Sequence, residues 1–352
     1  MMPEEWPIAA DAADRTAGAR RAGRDRLSTV RVDFFLDPAE RLSEQERALM
    51  TAMLHCLISD IADEIRAAIP DMPTPANDEG NLALVERLST AGLIDRLGLV
   101  RLLLRRADEE RIATGAKSRA GRREARVIQG LVSHSDGAVA AAAMSLIIAR
   151  GRRRDRFGQC LLHFDDLPAV EARALVCFLS AALRADLIGS HGAAEADRLL
   201  SVAMTQVIAR HDPSSGIEQL NAALARLLDE ESALTDELIV GAGIEGEMNF
   251  VAHALARRSG LPGDVALDEL LSADSDRIMT LLRMGRLGRE AAASLLAAIG
   301  DLVGIPDPGR AIDRFDRLTD ADVANALNWI SADPLYQQAV AELGGRDGQR
   351  TL

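Results

Sequence analysis

The stretch ELIVGAGIEGEMNFVAHALARRSG, residues 237–260, decides how the chain is read. It holds Gly241, Gly243 and Gly246, the spacing of a GxGxxG phosphate loop. In a dinucleotide-binding enzyme ELIV would be a strand, the glycines would wrap a pyrophosphate, and a helix would follow. Asp264 or Asp268 would then stand near the distance expected for a ribose contact. The flanks point elsewhere. LPGDVALDELLSADSDRIMTLLRM, 261–284, has helical spacing and no run of β-branched residues, and IEQLNAALARLLDEE, 217–231, is helical too. An isolated strand would leave its backbone groups unpaired. The glycines are therefore expected to form the turn of a helical hairpin, and no cofactor or metal site is expected.

Working outward, the same neighbourhood shows internal similarity. Leu234-Thr-Asp-Glu, Leu261-Pro-Gly-Asp, Leu287-Gly-Arg-Glu and Leu318-Thr-Asp-Ala each open a helical pattern, as Leu167-Pro-Ala-Val does earlier. A second leucine, Leu228, Leu255 or Leu281, stands six positions before three of these openings. The opening leucine is placed just before the helix cap, where it can pack back on the helix. Thr235 and Thr319 are good caps, Pro262 suits a first turn, and Asp236, Glu237 and Asp264 complement the positive helix end. A single hairpin of this kind cannot bury its apolar face; stacking several makes a continuous core.

Composition agrees with helices. The chain has 352 residues, 48% hydrophobic but only 3% aromatic, and its apolar residues are mostly Ala and Leu. A net charge of -13 disfavours nucleic acid and anionic membrane as partners. Cys56, Cys160 and Cys177 are far apart and form no CxxC pair, which suggests a reducing cytoplasm. No apolar run reaches membrane-spanning length, so the expectation is a cytoplasmic protein.

The N-terminal half has its own punctuation. Residues 1–32 read as a flexible tail. Ser43 and Glu46 form a capping box, and Leu49, Met53, Leu57, Ile61, Ile65 and Ile69 then repeat at helical spacing until Pro70. This long helix needs covering by other helices, and a homodimer through it is one way to do so. RRADEERIATGAKSRAGRREAR, 105–126, reads as a helix end and an exposed connection. DGAVAAAAMSLIIARG is a helix whose alanine run permits close helix–helix approach, RRRDRFGQ after it is exposed, and LPAVEARALVCFLSAALRADLIG is another helix.

Few residues invite chemistry. His55, on the long first helix beside Thr51 and Ser59, has the setting of a phosphoacceptor histidine, although Cys56 follows it where an acidic residue is usual. His163 lies near Asp165 and Asp166, and His211 abuts Asp212, both in loop or helix-end positions; no histidine has metal-ligand spacing. Arg122, Arg123 and Arg126, with Arg150, Arg152, Arg153, Arg154 and Arg156, form a candidate docking patch for an acidic partner or a phosphate. Aromatic residues for stacking bases are nearly absent there, Phe157 excepted.

The blocks LSEQERALMTAMLHCLISDIADEIRAAI, SDGAVAAAAMSLIIARGRRRDRFGQCLLHFDDLPAVEARALVCFLSAALR and ALARRSGLPGDVALDELLSADSDRIMTLLRMGRLGREAAASLLAAIG resemble the bacterial family called domain of unknown function 2336. The resemblance runs over about residues 36–343 and is most specific in ARGRRRDRFGQ…DDLP. It implies a helical protein, mainly of alphaproteobacteria, with repeats like HEAT or leucine-rich-variant units, and it supplies no catalytic residues. Together these readings give an all-α chain. The expected parts are a helical bundle over 33–190, a HEAT-like helical-repeat array over 191–345 and a flexible tail over 346–352. The expected function is a non-enzymatic interaction or regulatory scaffold for a protein partner. The alternatives are a phosphotransfer or sensor-adaptor module using His55 and a nucleotide-binding enzyme using Gly241–Gly246.

Overall fold

A computed structural model describes residues 43–70, 79–120 and 127–333 apart from 273 and 306, with positions 72, 336, 337, 339, 340 and 343 beyond these runs. Both tails and Arg122, Arg123 and Arg126 lie outside the described residues. Among the described residues there are fifteen α-helices, three 3₁₀ turns and no strand. Among them the one β contact is an isolated bridge between Arg154 and Cys160.

The chain's contacts gather into two units, each built from separate stretches of the sequence. One unit holds 43–110 and 131–223 among the described residues. It opens with α1 (Glu44–Ala67), capped as its sequence predicts: Ser43 Oγ accepts the Glu46 N–H, and the Glu46 carboxylate accepts the Ser43 N–H. Met50, Met53, Leu57, Ile58, Ile61 and Ile65 of its stripe are buried. They are covered by α2 (Glu79–Thr90), α6 (Ala169–His191) and α7 (Ala193–Arg210) of the same unit. That stripe is consumed by the unit's own core, so a homodimer through α1 would have to use another face.

Helix α3 (Leu97–Ala120) corrects the reading of residues 105–120 as a helix end and exposed connection. The helix continues through them, with Arg105, Arg106, Asp108, Ile112 and Ala116 buried. Charge does not force the first part of this stretch into water, because Arg105 and Arg106 stand against the Glu109 and Glu218 carboxylates inside the fold, while Arg111, Lys117 and Arg119 further along are exposed. Gly115 does not break the helix; a Cβ there would overlap Leu302 Cδ2.

The other unit holds 111–120, 127–130 and 224–333 among the described residues. After α4 (Val127–Gly130), α5 (Gly137–Arg152) and α8 (Ile217–Glu230) come seven short helices, all in this unit. They are α9 (Asp236–Ile244), α10 (Met248–Ser259), α11 (Gly263–Leu270), α12 (Ser275–Met284), α13 (Arg289–Val303), α14 (Pro308–Arg317) and α15 (Asp320–Ile330). α10 packs on α9, α11 and α12, and α9 also packs on α13. The opening leucines Leu234, Leu261, Leu287 and Leu318 are all buried, each just before an N-cap: Thr235, Pro262, Gly288 and Thr319. Leu228, Leu255 and Leu281 are buried as well. Pro262 is the cap itself, one position before the first turn expected for it.

The glycine motif is helical. Glu237–Val240 lies in α9, and so do Gly241 and Gly243; Gly246 alone makes the turn, at φ 76°. The reason for glycine is close approach. A Cβ on Gly243 would overlap Leu295 Cδ1 of α13, and one on Gly246 would stand 2.8 Å from the Ala113 Cα. Asp264 and Asp268 are on helix α11.

Gly243→Ala is therefore expected to destabilise the protein by about 1–3 kcal/mol through overpacking. Gly189→Ala, at a helical position with nothing within 4 Å, is expected to stabilise it by about 0.5–1 kcal/mol. Urea denaturation of both variants checks this; equal effects would refute the packing role of Gly243.

Candidate functional site

The arginine-rich segment after α5 divides into residues that face inward and residues that face out. Arg153 faces inward. Its guanidinium donates to the Asp166 carboxylate from Nε at 2.9 Å and from Nη2 at 2.8 Å, to the Ala149 carbonyl at 3.1 Å and to the Ser215 carbonyl at 3.0 Å. The Asp166 side chain is 0% exposed. It also accepts the His163 N–H at 3.1 Å and the Ile217 N–H at 2.9 Å. One carboxylate thus joins the end of α5, the 3₁₀ turn Phe164–Asp166 and the start of α8. Arg153 is buried in this joint and is withdrawn from the expected docking patch.

The joint belongs to a larger group of charges. Arg106 Nη1 donates to Glu109 at 2.7 Å, Arg106 Nη2 stands 3.8 Å from Glu218, and Arg105 Nη1 stands 3.9 Å from the same carboxylate. Burial would push Arg106 toward neutrality, but the carboxylates of Glu109, Asp166 and Glu218 outweigh it and hold the guanidinium above its ordinary value. Burial alone would likewise raise Asp166; Arg106 and Arg153 outweigh it and hold the carboxyl below the usual range. Each buried charge is met by an opposite one, so the group needs no ligand to be neutral.

Arg154 turns back toward α3, with two hydrogen bonds to Glu110 at 3.0 and 2.6 Å and one to the Gly158 carbonyl at 2.6 Å. Arg150 is half-buried near Asn221, at 3.5 Å. Arg152 and Arg156 are exposed. Of the eight arginines in the expected patch, these two present their charge outward among the described residues. Residues 154–160 form a tight hairpin. The Asp155 carboxylate accepts the Phe157 and Gln159 N–H groups, both at 2.8 Å, and the Leu161 N–H donates to the Arg153 carbonyl at 2.8 Å. Gly158 turns the tip at φ 81°. Phe157 is held outward there, 74% exposed, with the Arg156 guanidinium 4.7 Å from its ring centre.

The other residues singled out for chemistry have structural partners. His163 caps the 3₁₀ turn, its Nδ1 3.3 Å from Asp165 Oδ2. Ser215 Oγ donates to that same Asp165 oxygen at 2.9 Å. A nucleophilic triad places the imidazole between hydroxyl and carboxylate; here the carboxylate lies between, so Ser215 has no base. His211 bonds the Leu167 carbonyl through Nε2 at 3.0 Å and stands edge-on to Phe164. Burial, reinforced by the Glu110 carboxylate, pushes the Cys160 thiol up to about 11, which makes it a poor nucleophile. His55 is half-buried on α1, and burial lowers its pKa. Among the described residues no group of three or more His, Cys, Asp or Glu is arranged to hold a metal ion.

Sequence reasoning missed Arg105, Arg106, Asp166 and Glu218. A signal for Arg106 was present: it continues the buried spacing of Leu99 and Leu103 on α3, so the apolar stripe runs into it. No comparable pattern marks Asp166 as the centre of the joint, because Arg153 and Ile217 reach it from other segments.

A family model described as an uncharacterised protein conserved in bacteria (DUF2336) matches residues 118–325, more than half of the chain. The matched span contains the arginine-rich hairpin and Asp166 but not α1, narrower than the range over which the sequence resembles the family. No curated protein and no solved structure matches the chain.

Asp166→Asn is expected to cost about 3–5 kcal/mol at pH 7, because Arg153 is left buried with its charge uncompensated. The folded carboxyl titrates below its unfolded value, so its contribution is fully present above about pH 4 and is lost as pH falls through the depressed folded value. The stability gap between wild type and variant should therefore shrink below about pH 4 in denaturation series across pH. A gap independent of pH would contradict the ionised pair.

Proposed function

The chain belongs to the DUF2336 family of bacterial proteins, and we propose that it is a non-enzymatic cytoplasmic interaction or regulatory protein that engages a protein partner. The observation that carries this reading is Phe157. In a chain with seven phenylalanines, this one is held in water at the tip of a hairpin braced by the Asp155 carboxylate and Arg154. Leaving a large apolar ring exposed costs the free protein the burial it forgoes, and aromatic residues and arginine are both enriched at protein interfaces. The bracing lowers the ordering cost that a flexible anchor would incur on binding.

We further propose that the short helices after α8 act as a helical-repeat array. The buried leucine before each cap, recurring at nearly equal intervals from Leu234 to Leu287, supports this reading. Arrays of this type offer extended faces to partners. A cytoplasmic location fits the three cysteines, all of them thiols, and no helix among the described residues is long and apolar enough to cross a membrane.

Affinity capture from native lysate with the full chain and with Phe157→Ala tests the reading. A stoichiometric protein partner retained by wild type and reduced at least tenfold by the variant is expected. Loss of the reading would look different: no partner, together with saturable NAD, FAD or ATP binding in calorimetry that Gly243→Asp abolishes, or a phosphoryl label on His55 from a labelled phosphodonor.

A further inference from the structure

Helix α5 is apolar on nearly every side. Val139, Ala143, Leu146 and Ala149 face the interior. Gly137, Ala141, Met144, Ile148 and Arg152 recur at helical spacing on the opposite side and are exposed, Met144 by 43% and Ile148 by 48%. A helix with two apolar faces is a buried helix, yet among the described residues the face of Met144 and Ile148 is exposed. The hairpin that carries Arg156 and Phe157 begins two residues past its end.

The charge on this stretch is one-sided. From Gly137 to Ala185 no exposed residue is acidic, although the chain carries 54 acidic residues and a net charge of -13. The half-buried acids in that span are already engaged: Asp155 with hairpin N–H groups, Asp165 with Ser215, and Glu171 with Arg96. The exposed ions beside the apolar stripe are Arg152 and Arg156.

We propose that the outward face of α5, continued by the Arg156–Phe157 tip, is the docking site for an acidic amphipathic helix of a partner protein. This rests on the interaction reading above and specifies its partner. Three observations set the chemistry. The stripe of Met144 and Ile148, flanked by Ala138, Ala141 and Ser145, accepts an apolar helix ridge at close range. Among the described residues of this span, the exposed charges at its end, Arg152 and Arg156, are positive, so the matching ridge carries carboxylates on its flank. A second copy of the chain fits less well, since an isologous contact would bring two copies of the same face together and offer Arg152 and Arg156 no exposed acid from it.

The test uses the full chain and two fluorescein-labelled helical peptides with the same leucine stripe, one flanked by Glu and one by Lys. Fluorescence anisotropy should show saturable binding of the Glu peptide, weakened at least tenfold by Met144→Glu/Ile148→Glu and likewise by Arg152→Glu/Arg156→Glu, with no binding of the Lys peptide. Thermal denaturation checks that the variants fold, and the arginine pair, being exposed, leaves the core untouched. Equal binding of both peptides, or variants that bind like wild type, overturns the proposal. So does a dimer in sedimentation velocity that Ile148→Glu abolishes, which would assign the face to a second copy. Flotation with phosphatidylserine vesicles that is lost in the arginine variants, without binding of the Glu peptide, would assign it to a lipid surface and also overturns the proposal. If wild type and Met144→Glu/Ile148→Glu capture the same lysate partner equally, this docking site falls while the interaction reading stands.

Discussion

A carboxylate removed from water must recover its hydration from the protein, and Asp166 does so completely. Two guanidinium nitrogens and two backbone N–H groups converge on it from three separate segments. Each of those segments depends on the others for this one group's solvation. The end of α5, the turn before α6 and the start of α8 are therefore fixed together or not at all. Fixing the end of α5 also fixes the hairpin beyond it, because Arg153 donates from its side chain to Asp166 and its carbonyl accepts the Leu161 N–H. The outward direction of Phe157 is thus a consequence of a buried ion pair a few residues away.

The same economy of position governs the arginines. Five of them fall within seven residues, from Arg150 to Arg156, and their fates differ. Arg153 is held by Asp166 and Arg154 by Glu110, and each pairing directs a side chain inward. Arg152 and Arg156 remain for solvent or a partner. Buried pairs of this type add little net stability over a well-packed apolar substitute. Their effect here is geometric: they set which arginines face out and hold the loop that displays the aromatic ring.

Glycine serves packing in the second unit as charge serves geometry in the first. Gly243 lets α9 approach Leu295, and Gly263 lets α11 begin beside the His253 ring, where a Cβ would overlap it. A motif spaced like a phosphate loop is in this chain a set of close approaches between helices. The alternative required a sheet, and the helical spacing on both sides of the motif already argued against one.

Much was legible without coordinates because it is local. Helical class follows from Ala and Leu content and from 3.6-residue spacing; the cap at Ser43 and the leucines before Thr235, Pro262, Gly288 and Thr319 are signals read within a few residues of themselves. The loop or helix-end position of His163 was legible too, whereas its role as the cap of the 3₁₀ turn came from the structure. What tertiary structure alone decided was the fate of charge. The stretch from Arg105 to Ala120 reads as exposed because charged side chains ordinarily stay in water, yet Arg105 and Arg106 are buried because Glu218 and Asp166 arrive beside them from elsewhere in the chain, with Glu109 one helical turn away. Periodicity tells which residues share a face. Whether a face is covered depends on partners distant in sequence, and those only the folded chain brings together.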